Sequence, residues 1–207
     1  MKYLFFDCEF ATSKNNIEKI CEFGYTVVDD SFRVLEKGNL LINPNIEKRE
    51  WDWYVLKKVL TRKREEYEKQ KVFTKYFSKI TSLIKGADFV FGHSIVADVH
   101  SINCEIKRYN LSNLNYKFYD VVDLYKYYKK DNQSISVNNM LKELNVCGEQ
   151  NSHDAEADSY NTMLVLKTIL ENSPFGLEEL IKRCPSAEHK TKKCTIESKI
   201  EAKQASK

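Results

Sequence analysis

Tyr3-Leu4-Phe5-Phe6-Asp7-Cys8-Glu9-Phe10 is an apolar, aromatic-rich run that carries two carboxylates two residues apart. Its composition predicts a β-strand at the start of the chain. In a strand, side chains i and i+2 share a face, so Asp7 and Glu9 converge on one side while Phe6 and Cys8 point to the other. A strand buried in a sheet does not ordinarily place unpaired charges at adjacent same-face positions, because their desolvation is costly. Two readings of the pair stand side by side. Either it holds metal ions inside the fold, or the strand lies at an edge and its acids are simply solvated.

A second acidic group lies near the other end. Ser152-His153-Asp154-Ala155-Glu156-Ala157-Asp158 runs into a stretch whose apolar positions 160, 163, 164 and 166 fit a helix packed on one side. Ser152 or Asn151 is placed to cap its start. On a helix, His153 and Asp158 stand about 140° apart, which does not suit two ligands of one ion. The spacing suits His153 at or before the first turn, moving in and out of reach of a water as a general base must, with Asp158 held still inside the helix. The alternative is a histidine that only caps or hydrogen-bonds near a helix start. Between the two groups, Gly92-His93-Ser94-Ile95-Val96-Ala97-Asp98 adds a further carboxylate at the head of a predicted helix.

With these three stretches the chain resembles the DEDD-type 3′ to 5′ exonuclease family in its histidine-containing branch, which includes the proofreading subunits of replicative DNA polymerases, RNase T and oligoribonuclease. Asp7-Cys8-Glu9 is similar to its first motif, the stretch ending in Asp98 to its second, and His153 through Asp158 to its third. Asp120-Val121-Val122-Asp123-Leu124 resembles the strand and turn after the second motif, and residues 135–146 the helix before the third. The likeness runs from about residue 2 to residue 172. It implies an RNase H-like α/β fold, a mixed β-sheet flanked by α-helices.

The same resemblance implies a site with two divalent metal ions, Mg²⁺ or Mn²⁺, about 3.5–4 Å apart, that activate the attacking water and steady the leaving 3′ oxygen. Asp7 is expected to bridge both ions, Glu9 to ligate one near the terminal 3′ hydroxyl, and Asp158 to hold the ion that carries the water. Asp98 is expected to hold the other ion through ordered waters. Hard oxygen ligands agree with these metals, as does the absence of paired cysteine or histidine spacing near the acids. His153 is the expected general base. Phe10 is placed to stack on the terminal base, or else closes the core beneath the strand. Two positions depart from the family pattern: Ser94 stands where asparagine is usual after His93, and Ala97 where an aromatic is usual before Asp98. Ser94 can still donate a hydrogen bond to a backbone group or a substrate oxygen, so His93 and Ser94 are expected at the substrate. Ala97 removes a bulky wall, leaving a gap that a neighbour fills or a wider nucleotide pocket. Neither change removes a ligand.

Composition frames the rest. With 207 residues, 42% hydrophobic and 30% charged, the chain is expected to be one soluble domain with a sizeable core, over residues 1–185. No apolar run approaches the roughly 18 residues of a membrane span, and the first residues read as a strand instead of a leader. Six cysteines without a C-x-x-C pair read as free thiols in a reducing, cytoplasmic compartment, with a Cys184–Cys194 bridge as a minor alternative. Strands are expected near 3–8, 20–29 and 33–42, joined as a meander with a first turn over 11–17. A charged helical segment over 50–84, a buried strand over 87–92, a helix over 97–109 and a strand over 116–119 follow, then helices over 121–129, 134–144 and 154–171.

Charge bears on partners. Residues 186–207 carry six lysines and three glutamates, so this end accounts for the whole net charge of +3. Such a tail reads as flexible and solubilising, or as a weak, salt-sensitive contact with phosphates. Arg62, Lys63, Arg64, Lys69 and Lys71, interleaved with Glu65, Glu66 and Glu68, read as a solvated helix face. Trp51, Trp53 and Tyr54 line a single-strand groove, pack inward, or form a homodimer contact. The expected partner is the 3′ end of a single-stranded DNA or RNA, for an enzyme releasing nucleoside 5′-monophosphates. The chain is then a free-standing nuclease, or a subunit docked on a polymerase or another replication, repair or RNA-processing protein. The alternative function is a non-catalytic nucleic-acid-binding or scaffold module on the same fold, which predicts loss of one or more of the acids.

Overall fold

The computed structural model of the chain describes residues 1–14, 17–133, 135–149 and 154–192. Three long strands open it: β1 (Lys2–Thr12), β2 (Glu18–Asp29) and β3 (Val34–Leu41). Two short helices, α1 (Arg64–Glu68) and α2 (Phe73–Lys85), lead to β4 (Phe89–Gly92) and then α3 (Val96–Arg108). Next come β5 (Lys117–Asp120), α4 (Val121–Lys129), α5 (Val137–Glu143) and the long α6 (Ala155–Glu171). A last helix α7 (Leu177–Arg183) and a strand β6 (Glu188–Lys190) complete the order.

The strands form one mixed sheet in the order β3-β2-β1-β4-β5-β6, an RNase H-like α/β arrangement. β1 pairs antiparallel with β2 and parallel with β4, which pairs parallel with β5. β4 accompanies β1 only over residues 3–5, but Glu9 is buried and Asp7 half-buried, so the reading of the two acids as simply solvated on an edge falls. Alternation along β1 splits the core. Tyr3 and Phe5 pack with α4, α5, α6 and α7 on one face, while Leu4, Phe6 and Cys8 pack with α2 and α3 on the other. The C-terminal ends of the parallel strands β1, β4 and β5 therefore meet at one edge, the usual location of sites in open α/β sheets.

Four expectations about elements change. The charged stretch 50–84 is not one helix: a 3₁₀ turn at Lys48–Glu50, a π-type turn at Val55–Val59, α1 and α2 replace it. The cause is a separate apolar cluster of Ala11, Cys21, Ile46, Trp51, Leu60 and Tyr67, which pulls the chain onto the end of β1 instead of leaving it as a solvated rod. α6 is capped by Asp154, whose side chain accepts from Glu156 N and Ala157 N; Asn151 and Ser152 lie outside the described residues. α6 is also buried well beyond one stripe, with Ala157, Ser159, Thr162 and Val165 all inside, because it crosses the sheet centre. Finally, Glu188–Lys190 pairs antiparallel with β5, so the first part of the expected tail is an edge strand, held partly by His189 stacking on Phe118. Cys194 and the rest of that tail lie outside the described residues, so the Cys184–Cys194 alternative does too. Among the described residues no helix is long and apolar enough to cross a membrane.

One contact decides how close α6 comes to the sheet. Gly24 of β2 stands opposite Asp7 in the strand register. A Cβ there would run into the backbone of Ala155 and Glu156, so the missing side chain is what lets the N-terminus of α6 rest directly on β2. Just beyond, Thr26 Oγ1 and Ser159 Oγ share a hydrogen bond of 3.0 Å. Gly24→Ala is expected to destabilise the fold by about 1–3 kcal/mol, the usual cost of overpacking, in urea unfolding. Gly176→Ala, with open space around the position, is expected to stay within about 0.5 kcal/mol of the parent.

Candidate metal centre

The register puts the acids together. Asp7 and Glu9 alternate onto the α6 face of β1, and α6, seated over Gly24, brings Asp158 from its first turn onto the same spot. One carboxylate oxygen from each of Asp7, Glu9 and Asp158 lies within 4.8 Å of the others. Asp98 reaches the same end of β1 from the first turn of α3, and is buried. It stands outside the close trio but acts electrostatically on Asp7.

Burial and mutual repulsion disfavour the ionised acids in the metal-free protein. Burial first, and then Asp98, Glu9 and Asp158, hold the Asp7 carboxyl well above the usual carboxylate range. Burial, then Glu22, Asp158 and Asp154, push Glu9 up to about 8. Burial and Glu9 also hold Asp98 well up, opposed by hydrogen bonding with the Cys8 backbone. A donor set of hard carboxylate oxygens, strained by its own charge, fits a divalent cation such as Mg²⁺ or Mn²⁺. Asp7, Glu9 and Asp158 would hold it, with Asp98 nearby.

A second layer of polar groups supports the first. Glu22, opposite Glu9 in the register, is fully buried. It accepts hydrogen bonds from Arg62 Nη1 at 2.7 and 2.8 Å, Tyr67 Oη at 2.5 Å and Asn39 Nδ2 at 2.6 Å. Arg62 Nη2 donates to Asp154 Oδ2 at 2.9 Å. Neither Glu22 nor Arg62 is a site residue on sequence grounds. A charge inside the apolar run Ile20-Cys21-Glu22-Phe23 is the only sequence signal for Glu22, and Arg62 is masked by the alternating charges around it.

The remaining expected residues fall in different places. His93 is half-buried and its Nε2–H donates to the Ile135 carbonyl at 2.9 Å, tying the loop after β4 to the approach of α5. Ser94 is exposed, in the left-handed region at φ 52°, and its backbone N–H donates to Asp120 Oδ1 at 3.0 Å. Ala97 is exposed at the start of α3. Phe10 follows a β-bulge that leaves Cys21 as the extra residue of β2, and it packs half-buried against the α2–α3 core. His153 lies outside the described residues. The aromatic cluster divides: Trp51 is 5% exposed, stacks on Tyr67 and donates to the Ile46 carbonyl, whereas Trp53 and Tyr54 are 63% and 64% exposed. Trp51 pairs with Ser13, and Asp52 N donates to the Thr12 carbonyl, so the exposed pair follows directly on the extension of β1 beyond Glu9.

Comparison with known proteins bears on family and fold. Residues 4–166 match the RNase T family, described as exonuclease. No curated protein matches the chain in sequence. Among solved structures, the nuclease domain of 3′hExo, a DEDDh family member bound to rAMP, is 15% identical with a TM-score of 0.70, covering 83% of this chain and 92% of that one. Escherichia coli exonuclease I in complex with a dA16 oligonucleotide is 18% identical with a TM-score of 0.68, covering 88% and 42%. Cell-death related nuclease 4 is 12% identical with a TM-score of 0.68, covering 82% and 64%.

The raised pKa of Glu9 makes metal-free stability depend on pH in a defined sense. A carboxyl that binds its proton more tightly folded than unfolded contributes stability that is full below its ordinary range and is lost as pH rises through about 8. In EDTA, the thermal midpoint of the parent is therefore expected to fall between pH 5.5 and 8.5 relative to that of Glu9→Gln. Mg²⁺ is expected to raise the parent's midpoint more at the higher pH. Parallel pH profiles for the two proteins in scanning calorimetry would contradict this.

Proposed function

The chain belongs to the RNase T family of exonucleases, of the DEDDh type, and on that premise we propose that it removes nucleoside 5′-monophosphates one at a time from the 3′ end of single-stranded DNA or RNA. The observation that carries the reading is the Asp7–Glu9–Asp158 trio, gathered from two elements far apart in sequence into one cluster of oxygen donors. Asp7, Glu9 and Asp158 would hold two divalent ions, Mg²⁺ or Mn²⁺, with Asp98 assisting. When bound, such ions supply Lewis-acid stabilisation of the phosphoryl oxygens and a nucleophilic water at neutral pH.

The protein's own groups do the rest. Glu9, at the bulge where β1 passes under the site, orients the terminal 3′ hydroxyl as well as a metal. His153 accepts the proton of the attacking water, a role that an imidazole suits. Phe10 presents an apolar edge to the terminal base, and His93 and Ser94, in the loop after β4, line the same end of the sheet. Exposed Trp53 and Tyr54, with Lys57 over the Trp53 ring at 5.9 Å, offer stacking faces and positive charge for the preceding nucleotides. An exposed Ala97 in place of a bulky wall favours a roomier nucleotide pocket. Retention of all four acids argues against a non-catalytic module.

Digestion of matched single-stranded DNA and RNA, labelled at the 5′ end, tests the proposal. A ladder shortening one nucleotide at a time is expected with Mg²⁺ or Mn²⁺, and the relative rates report which sugar is preferred. Asp7→Asn is expected to slow it on the order of 100-fold or more, about 2.7 kcal/mol of transition-state stabilisation. Intact substrates under both metals, with a folded protein, would refute the exonuclease reading.

A further inference from the structure

Glu9 and Asp158 are neighbours in the site but come from a strand and a helix about 150 residues apart, so something must hold the two elements in register within the tolerance a metal site needs. Backbone packing at Gly24 sets how near α6 can come; it does not fix how far the helix can slide or tilt. Besides the Thr26–Ser159 hydrogen bond and the Lys37–Glu156 pair, one side chain joins the strand residue paired with Glu9 to the cap of α6. We infer that Arg62 is the positioning residue that sets the spacing between Glu9 and Asp158.

The geometry is specific. Through Nη1, Arg62 grips both oxygens of Glu22, the residue paired with Glu9 across β1 and β2. Through Nη2 it grips Asp154 Oδ2. The other oxygen of Asp154 accepts from Glu156 N at 3.1 Å and Ala157 N at 3.3 Å, and its carbonyl accepts from Asp158 N at 2.9 Å. Asp154 is thus the cap and first turn of the helix that bears Asp158. A rigid guanidinium with donors on two nitrogens can serve both carboxylates at once, whereas a lysine ammonium is a point charge on a flexible stem. The side chain is 24% exposed, so the pairs are only partly screened by solvent. Glu22 has further donors in Tyr67 and Asn39 and stays oriented if Arg62 is lost. The hold on Asp154 is therefore where the effect of removing Arg62 is expected to appear.

The inference rests on the exonuclease reading for its catalytic consequence, and Mn²⁺ affinity is a readout that stands apart from that reading. Mn²⁺ affinity by calorimetry and kcat on a single-stranded oligonucleotide are measured for the full chain and for Arg62→Gln, Arg62→Lys, Asp154→Asn and the Arg62→Gln/Asp154→Asn pair. Asp154→Asn keeps an oxygen for the helix cap while losing the charge that Arg62 holds. Each single change is expected to weaken Mn²⁺ binding and lower kcat by roughly 10- to 100-fold, the usual effect of losing a group that orients a ligand. The pair is expected to be no worse than the worse single change, since both break the same link. Arg62→Lys is expected to recover only part of the loss, and KM to move less than kcat. Folded variants that keep parental Mn²⁺ affinity, or effects that multiply in the pair, would overturn the role of Arg62. A parent that binds Mn²⁺ but digests nothing would overturn the exonuclease reading and leave this inference standing on affinity.

Discussion

The direct seating of a helix N-terminus on the sheet at Gly24 is the constraint from which the site follows. β1 presents Asp7 and Glu9 on one face because strands alternate, and any side chain at position 24 would keep α6 away from them. With glycine there, the helix comes down until Ala155 meets the β2 backbone, and Asp158, one turn in, joins the acids of β1. Packing has placed Asp158 where it raises the cost of ionising both Asp7 and Glu9. A divalent cation would relieve that repulsion, so the features that burden the metal-free fold are ones that would favour its binding.

Around this contact, the polar groups near the centre are almost all engaged in holding elements to one another. Asp120 caps α4 while accepting from the Ser94 backbone, which fixes the loop between β4 and α3 beside Asp98. Asn161 exchanges hydrogen bonds with the Glu149 backbone, and Lys37 of β3 reaches Glu149 and Glu156. These contacts fasten α6 along its first two turns to both β3 and the segment ahead of it. Rigid support of this kind is what a metal site requires, because ligands left to find their own positions bind weakly.

Much of this was legible in the sequence, and the exceptions have physical causes. The run 3–10 announces both its strand and its two acids, since period-two alternation is a local property. Asp98 at the head of α3 and Asp158 inside α6 are equally local, and both elements lie close to where the pattern puts them. The segment 50–84 misleads because interleaved Lys, Arg and Glu resemble a solvated helix, while the residues that break it, Trp51, Leu60 and Tyr67, bury against Ala11 and Cys21, 30 or more residues away. Arg62 is hidden for the same reason: its partners Glu22 and Asp154 are 40 and 92 residues distant, and no spacing rule links them. β6 is only three residues long and gains its structure from pairing with β5, so nothing within it marks a strand.

Brought together by the seating of α6 on Gly24, Asp7, Glu9 and Asp158 would form a metal site. Anomalous scattering at the manganese edge from crystals grown with Mn²⁺ tests it most directly. Manganese peaks are expected at ligand distance from these carboxylates. A map with no manganese there, from crystals in which the three side chains are ordered, would contradict the claim whatever activity the protein shows.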